Sequence, residues 1–136
     1  MPMYTLSSKT QVEESLCLEL SRAITDIHCG ITGAPRTFVQ VVFSHGVPLR
    51  AGAHLNVLGN VRKGRTGEMN DLLKQDLREG IAAIMNAPVT TIDLSLFEVP
   101  AGWVMEGGEV LPEPGEEEHC EWLKEEHPSD SRELTG

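Results

Sequence analysis

The sequence predicts an α/β domain of the α+β kind, in which two β-α-β units form one four-stranded sheet with both helices on one face. Three observations carry this. Two stripes of apolar residues recur at helical spacing, short strand-like runs flank each stripe, and glycine- or proline-bearing breaks separate the pieces.

The first unit opens with a short apolar strand over 3–6, after which Ser7 or Ser8 can cap a helix. Val12, Leu16, Leu20, Ile24 and Ile27 follow at spacings of four and three, one face of that helix, and Gly30 is positioned to end it with His28 in its last turn. After the Thr32–Pro35 loop, Thr37–Ser44 holds Phe38, Val39, Val41, Val42 and Phe43. A strand apolar on both faces is expected at the centre of a sheet.

The second unit begins with a strand over His54–Val61, where Gly59-Asn60 suggests a turn or bulge. Thr66 can cap the next helix, with Glu68 favourably placed in its first turn. Met69, Leu72, Leu73, Leu77, Ile81 and Ile84 form its apolar stripe, and Asn86-Ala87-Pro88 stops it. Ile92, Leu94 and Leu96 alternate along a last strand that Pro100 terminates. Right-handed crossovers make the strands parallel within each unit. The sheet face opposite the helices is then apolar and uncovered, which a chain of 136 residues buries by oligomerising.

Charge divides the chain. Residues 106–136 hold 11 acidic and 2 basic residues, a balance of −9 out of a total of −10, so residues 1–105 form a nearly neutral body and 106–136 an acidic C-terminal tail. The run Glu116, Glu117, Glu118 reads as a solvated segment, and part of the tail is expected to pack on an oligomer. No basic stripe is present to displace counterions from nucleic acid. No stretch approaches the roughly 20 apolar residues that span a bilayer, and no secretory pattern opens the chain, so a cytoplasmic protein without membrane or nucleic-acid partners is expected. Cys17, Cys29 and Cys120 are odd in number, and neither they nor the five histidines show metal-ligand spacing.

Four features can carry chemistry. Pro2 becomes a chain-end secondary amine if Met1 is removed, able to exchange a proton near neutral pH. With Met1 attached, its nitrogen is an amide and has no such chemistry. Arg62-Lys63-Gly64-Arg65 puts two guanidiniums three residues apart before the second helix, a grip for a carboxylate or a solvated basic turn. Glu106, beyond the last strand and next to Gly107-Gly108, can activate a water or simply begin the acidic tail. His28 can bind an anion or stabilise the helix end.

Taken together, Pro2, the stretch 23–33 (AITDIHCGITG), Arg62-x-x-Arg65, Pro100-Ala101, Glu106 and Leu111-Pro112-Glu113-Pro114-Gly115 resemble cis-3-chloroacrylic acid dehalogenase and its relatives. These are a branch of the 4-oxalocrotonate tautomerase superfamily, and the likeness runs from residue 2 to about 122. It implies the tautomerase (macrophage migration inhibitory factor-like) fold, a homotrimer, no cofactor or metal, and a small carboxylate substrate. By position it implies Pro2 as the catalytic proline, Arg62 and Arg65 as the carboxylate-binding pair, His28 as their assistant, and Glu106 as the group that activates water. The family's catalytic tyrosine falls at Ser95, where this chain has no phenol. The chemistry implied is hydration, or dehalogenation of a 3-halo acid, at a three-carbon unsaturated acid. Alternatives are keto–enol tautomerisation, as of phenylpyruvate, decarboxylation of a 3-oxo acid, and a non-enzymatic trimeric binding module.

Overall fold

A computed structural model describes residues 1–120. Expectations that fall on 121–136, the distal half of the acidic tail, lie outside the described residues. The elements are β1 (Met3–Ser7), α1 (Glu14–Thr32), β2 (Gln40–Ser44), β3 (Leu55–Arg62), α2 (Gly67–Met85), β4 (Ile92–Val99), β5 (Met105–Glu106) and β6 (Glu109–Val110). The main sheet has the order β2-β1-β3-β4. Strands are parallel within each unit (β1 with β2, β3 with β4), and the units meet antiparallel at β1–β3. Both helices lie on one face, as expected for the tautomerase fold.

Alternation sorts the strands. Tyr4, Leu6, Leu55, Val57, Val61 and Ile92 point to the helices and are buried with Leu20 and Ile24 of α1 and Leu73, Leu77 and Ile81 of α2. The helices meet where Gly80 has no side chain, since a Cβ there would sit 2.8 Å from Ile27 Cδ1. Among the described residues, no helix is long and apolar enough to cross a membrane.

Several local expectations change. The first helix starts at Glu14 with no side-chain cap, so neither Ser7 nor Ser8 caps it. It runs through Gly30 to Gly33, whose positive φ of 75° closes the last turn. His28 therefore lies one turn further inside, on the buried stripe with Leu20 and Ile24. Thr37 and Phe38 belong to a 3₁₀ turn (Arg36–Phe38), and β2 is an edge strand rather than a central one. Its Val41 and Phe43 pack on the core while Val42 remains 45 % exposed. The open sheet face is mixed rather than uniformly apolar. Its cross-strand rows read Val42–Thr5–Leu58–Ser95 and Gln40–Met3–Asn60–Phe97, with Phe97 64 % exposed.

No bulge forms at Gly59-Asn60, and the ladder to β4 passes through both in register. Gly59 faces Tyr4 across β1–β3, and a Cβ on it would lie 2.6 Å from Tyr4 Cε1 and 2.8 Å from Leu96 Cδ2. The missing side chain is what admits the Tyr4 ring. Thr66 caps α2 as expected, its hydroxyl accepting from the Met69 N–H at 3.1 Å. Gly59→Ala is expected to destabilise the fold by about 1–3 kcal/mol through overpacking, whereas Thr66→Ala costs about 1 kcal/mol through the lost cap. Urea denaturation of the two variants checks the order.

Candidate active site

The five residues singled out in the sequence come from five segments, and the structure gathers them around one end of the sheet. Here β1 begins and β3 and β4 finish. Pro2 lies just ahead of β1 and is buried, and its carbonyl accepts from the Gln40 N–H at 3.0 Å. Arg62 is the last residue of β3, not a residue of the helix start.

The segment after β4 folds back on this end. A 3₁₀ turn (Ala101–Trp103) leads into β5, and β5 pairs with β6 through Gly107-Gly108. Their φ values of 61° and 83° are the positive pair that a tight two-residue hairpin requires. Leu111 donates to the Val104 carbonyl at 2.9 Å, and buried Phe38, Ala101 and Leu111 form a second small core, with Met1, Val104 and Cys120 packed against it. The hairpin therefore belongs to the folded body, and the 105/106 division expected from charge falls inside β5. Glu106 reaches the chain end, where the Met1 ammonium donates to its carboxylate and, at 2.9 Å, to the Phe38 carbonyl. Glu109 is the register partner of Glu106 across the hairpin and is exposed.

His28 is fully buried. Its Nδ1 lies 2.8 Å from the Tyr4 hydroxyl, and its Nε2 has no partner among the described residues. Burial, followed by the charges of Arg65, Arg62 and the N-terminal ammonium, lowers the imidazole pKa to about 3, so the ring is neutral at physiological pH. The same causes show that the two guanidiniums and the chain-end amine act on one histidine. Burial pushes the Tyr4 phenol well above its ordinary range.

The two arginines differ. Arg62 is 1 % exposed, its guanidinium stands 5.4 Å from the Phe38 ring centroid, and it donates to the Pro112 carbonyl and the Glu117 carboxylate. Arg65 is half-buried and, among the described residues, donates once, to the Arg62 carbonyl at 3.2 Å. Burial and the neighbouring Arg62 charge lower its pKa. Burial alone would raise the Glu117 pKa, but the hydrogen bond from Arg62 overrides this and holds the carboxyl below its usual range. Glu117 was read as part of a solvated run and is instead half-buried against Arg62. Tyr4, Phe38 and Glu117 line the candidate site and carry no signal in the sequence pattern, while Pro112, part of the Leu111-Pro112-Glu113-Pro114-Gly115 motif, contributes a backbone carbonyl. Ser95 lies on the open sheet face and is exposed.

The chain matches no protein-family profile. It also matches no curated protein. Solved structures do match. N1, a member of the cis-3-chloroacrylic acid dehalogenase family, shares 28 % identity over 92 % of this chain and 97 % of its own, with a TM-score of 0.84. A fused 4-OT, an asymmetric trimer, superposes with a TM-score of 0.72 at 20 % identity, covering 80 % of this chain and 95 % of its own. Macrophage migration inhibitory factor of Toxoplasma gondii superposes at 0.70 and 14 % identity, over 81 % of this chain and all of its own, and like the fused 4-OT it speaks to the fold alone. The chain thus has the tautomerase-superfamily fold and is similar in sequence and structure to the cis-3-chloroacrylic acid dehalogenase family.

A histidine held neutral in the fold gives a signed pH effect. Between pH 6.5, its ordinary value, and about 3, the unfolded chain takes up a proton that folded His28 refuses. The stability from neutral His28 is full above 6.5 and is lost as pH falls toward 3. Unfolding free energy measured at pH 7 and pH 5 should fall by about 2 kcal/mol more in wild type than in His28→Gln.

Proposed function

We propose that this chain, once Met1 is removed, is an amino-terminal-proline enzyme that adds water to a small α,β-unsaturated carboxylic acid. The observation that carries the reading is the Glu106 carboxylate seated against the chain-end amine, at the end of the sheet where β3 finishes in Arg62. Removing Met1 vacates the space among Phe38, Ala101, Val104 and Leu111 and turns the buried Pro2 nitrogen into a secondary amine. A carboxylate at that position favours the ammonium form of the amine.

The steps follow from these roles. The exposed part of the Arg65 guanidinium takes the substrate carboxylate and draws electron density toward it, with His28 Nε2 as a further polar contact. Glu106 accepts a proton from water as its oxygen attacks the β-carbon, and the Pro2 ammonium delivers a proton to the α-carbon. With propynoate, one water adds across the triple bond and the resulting enol ketonises to 3-oxopropanoate. With a 3-haloacrylic acid, the 3-halo-3-hydroxy adduct loses halide and its hydroxyl proton to give the same aldehyde acid. Ser95 offers no phenol to share the work of Glu106. The mixed open face, with Val42, Leu58 and Phe97 exposed, supports a homotrimer, and the fused 4-OT structure is a trimer.

A second reading has one observation in its favour. The arginine charges that lower His28 would also favour a neutral Pro2 amine, a base for keto–enol proton transfer. The test uses protein whose Met1 loss is verified by mass, incubated with propynoate and followed by proton NMR. The expected products are 3-oxopropanoate or the acetaldehyde that follows its decarboxylation. Glu106→Gln should reduce the rate by at least ~100-fold, and Pro2→Ala should abolish detectable turnover. No turnover of propynoate, alongside ketonisation of phenylenolpyruvate, would replace hydration by the tautomerase reading.

A further inference from the structure

The tail supplies a carboxylate of its own to one of the two arginines. Arg62 is 1 % exposed and already engaged: one Nη donates to the Pro112 carbonyl, the other to the Glu117 carboxylate, and Nε is buried without a partner among the described residues. Glu117 is held in place for this. Its second oxygen accepts from the Gly115 N–H at 3.0 Å, and Gly115 has the positive φ of 90° that turns the chain back toward β3. Arg65 spends a single donor, on the Arg62 carbonyl, and its remaining N–H groups have no partner among the described residues.

The charges at this end of the sheet add to this asymmetry. Two guanidiniums face this end of the sheet, Glu117 neutralises one, and Glu106 is matched to the chain-end amine. Of the two guanidiniums, that of Arg65 has no carboxylate partner among the described residues and is left to meet an incoming anion. A second carboxylate on a ligand would have to displace Glu117 from a nearly solvent-free contact, or remain unpaired beside it and Glu106.

We propose that Glu117 sets the charge selectivity of this site: by occupying Arg62 it leaves Arg65 as the single carboxylate receptor, so the site accepts monocarboxylates and rejects dicarboxylates. This rests on the carboxylate-binding reading given above and adds to it the class of acid bound. Glu117 acts through Arg62 and has no place in the proton transfers.

Binding, rather than turnover, separates the two. Calorimetric titration of the mature full-length protein near neutral pH with propanoate and with malonate compares one and two carboxylates on the same three-carbon chain. Wild type is expected to bind propanoate more tightly than malonate. In Glu117→Gln, which keeps an oxygen acceptor for Arg62 but no charge, malonate affinity should rise by about tenfold or more, the scale of one hydrogen bond between charged groups. Propanoate affinity should move by less than about threefold. Tighter malonate binding by wild type would overturn the proposal without any variant. So would an unchanged malonate-to-propanoate ratio in a Glu117→Gln protein whose thermal unfolding is intact, or an equal gain for both ligands, which would make Glu117 a plug rather than a selector. Failure of wild type to bind either acid overturns the carboxylate site itself, an outcome distinct from binding with the wrong preference.

Discussion

The burial of Arg62 is the constraint from which the functional end of the molecule is built. A guanidinium that is 1 % exposed cannot exchange its lost water for nothing. The acceptors come from a segment 50 to 55 residues further along, the Pro112 carbonyl and the Glu117 carboxylate, with the face of Phe38 against the same group. Once that segment is drawn over the end of the sheet, the hairpin preceding it brings Glu106 to the amine. The placement of the acid beside the amine follows from pairing one buried cation, while α1 sets the histidine.

Most of the framework was legible because it depends on periodicity. The stripes Leu20–Ile24 and Leu73–Leu77–Ile81 specified two helices facing one sheet, and the β-α-β order specified parallel pairs within each unit. The misreadings have local physical causes. Val42 made β2 look buried on both sides, but an apolar residue can occupy the open face of an edge strand at modest cost. Gly30 did not stop α1 because a glycine in a helix costs only about 1 kcal/mol, less than the packing contributed by the turns on either side. Gly59 resembled a bulge, yet its purpose depends on a ring from another strand, which local pattern does not reveal.

The candidate site was legible by residue type and by likeness to a family, and not by environment. Nothing in the spacing of Arg62 and Arg65 says that one is enclosed and the other half-open. That difference arises from tertiary contacts of Phe38, Pro112 and Glu117. Glu117 was the least visible, since three consecutive glutamates are chemically alike and only the turn at Gly115 selects the middle one. Composition read the acidic segment as solvated. Folding takes one carboxylate out of it and gives that carboxylate a partner.

Tyr4 gives the molecule a property that has nothing to do with its substrate. It is the single tyrosine of the chain, and its ring is enclosed by Gly59 and Leu96 with the hydroxyl on His28. Any phenolate absorbance in alkaline solution therefore comes from one known place. Because burial holds this phenol protonated well above its ordinary range, the ultraviolet signal of tyrosinate at moderately alkaline pH reports the opening of the space between sheet and helices. The chain carries an intrinsic optical gauge of its own core, and no label has to be attached to read it.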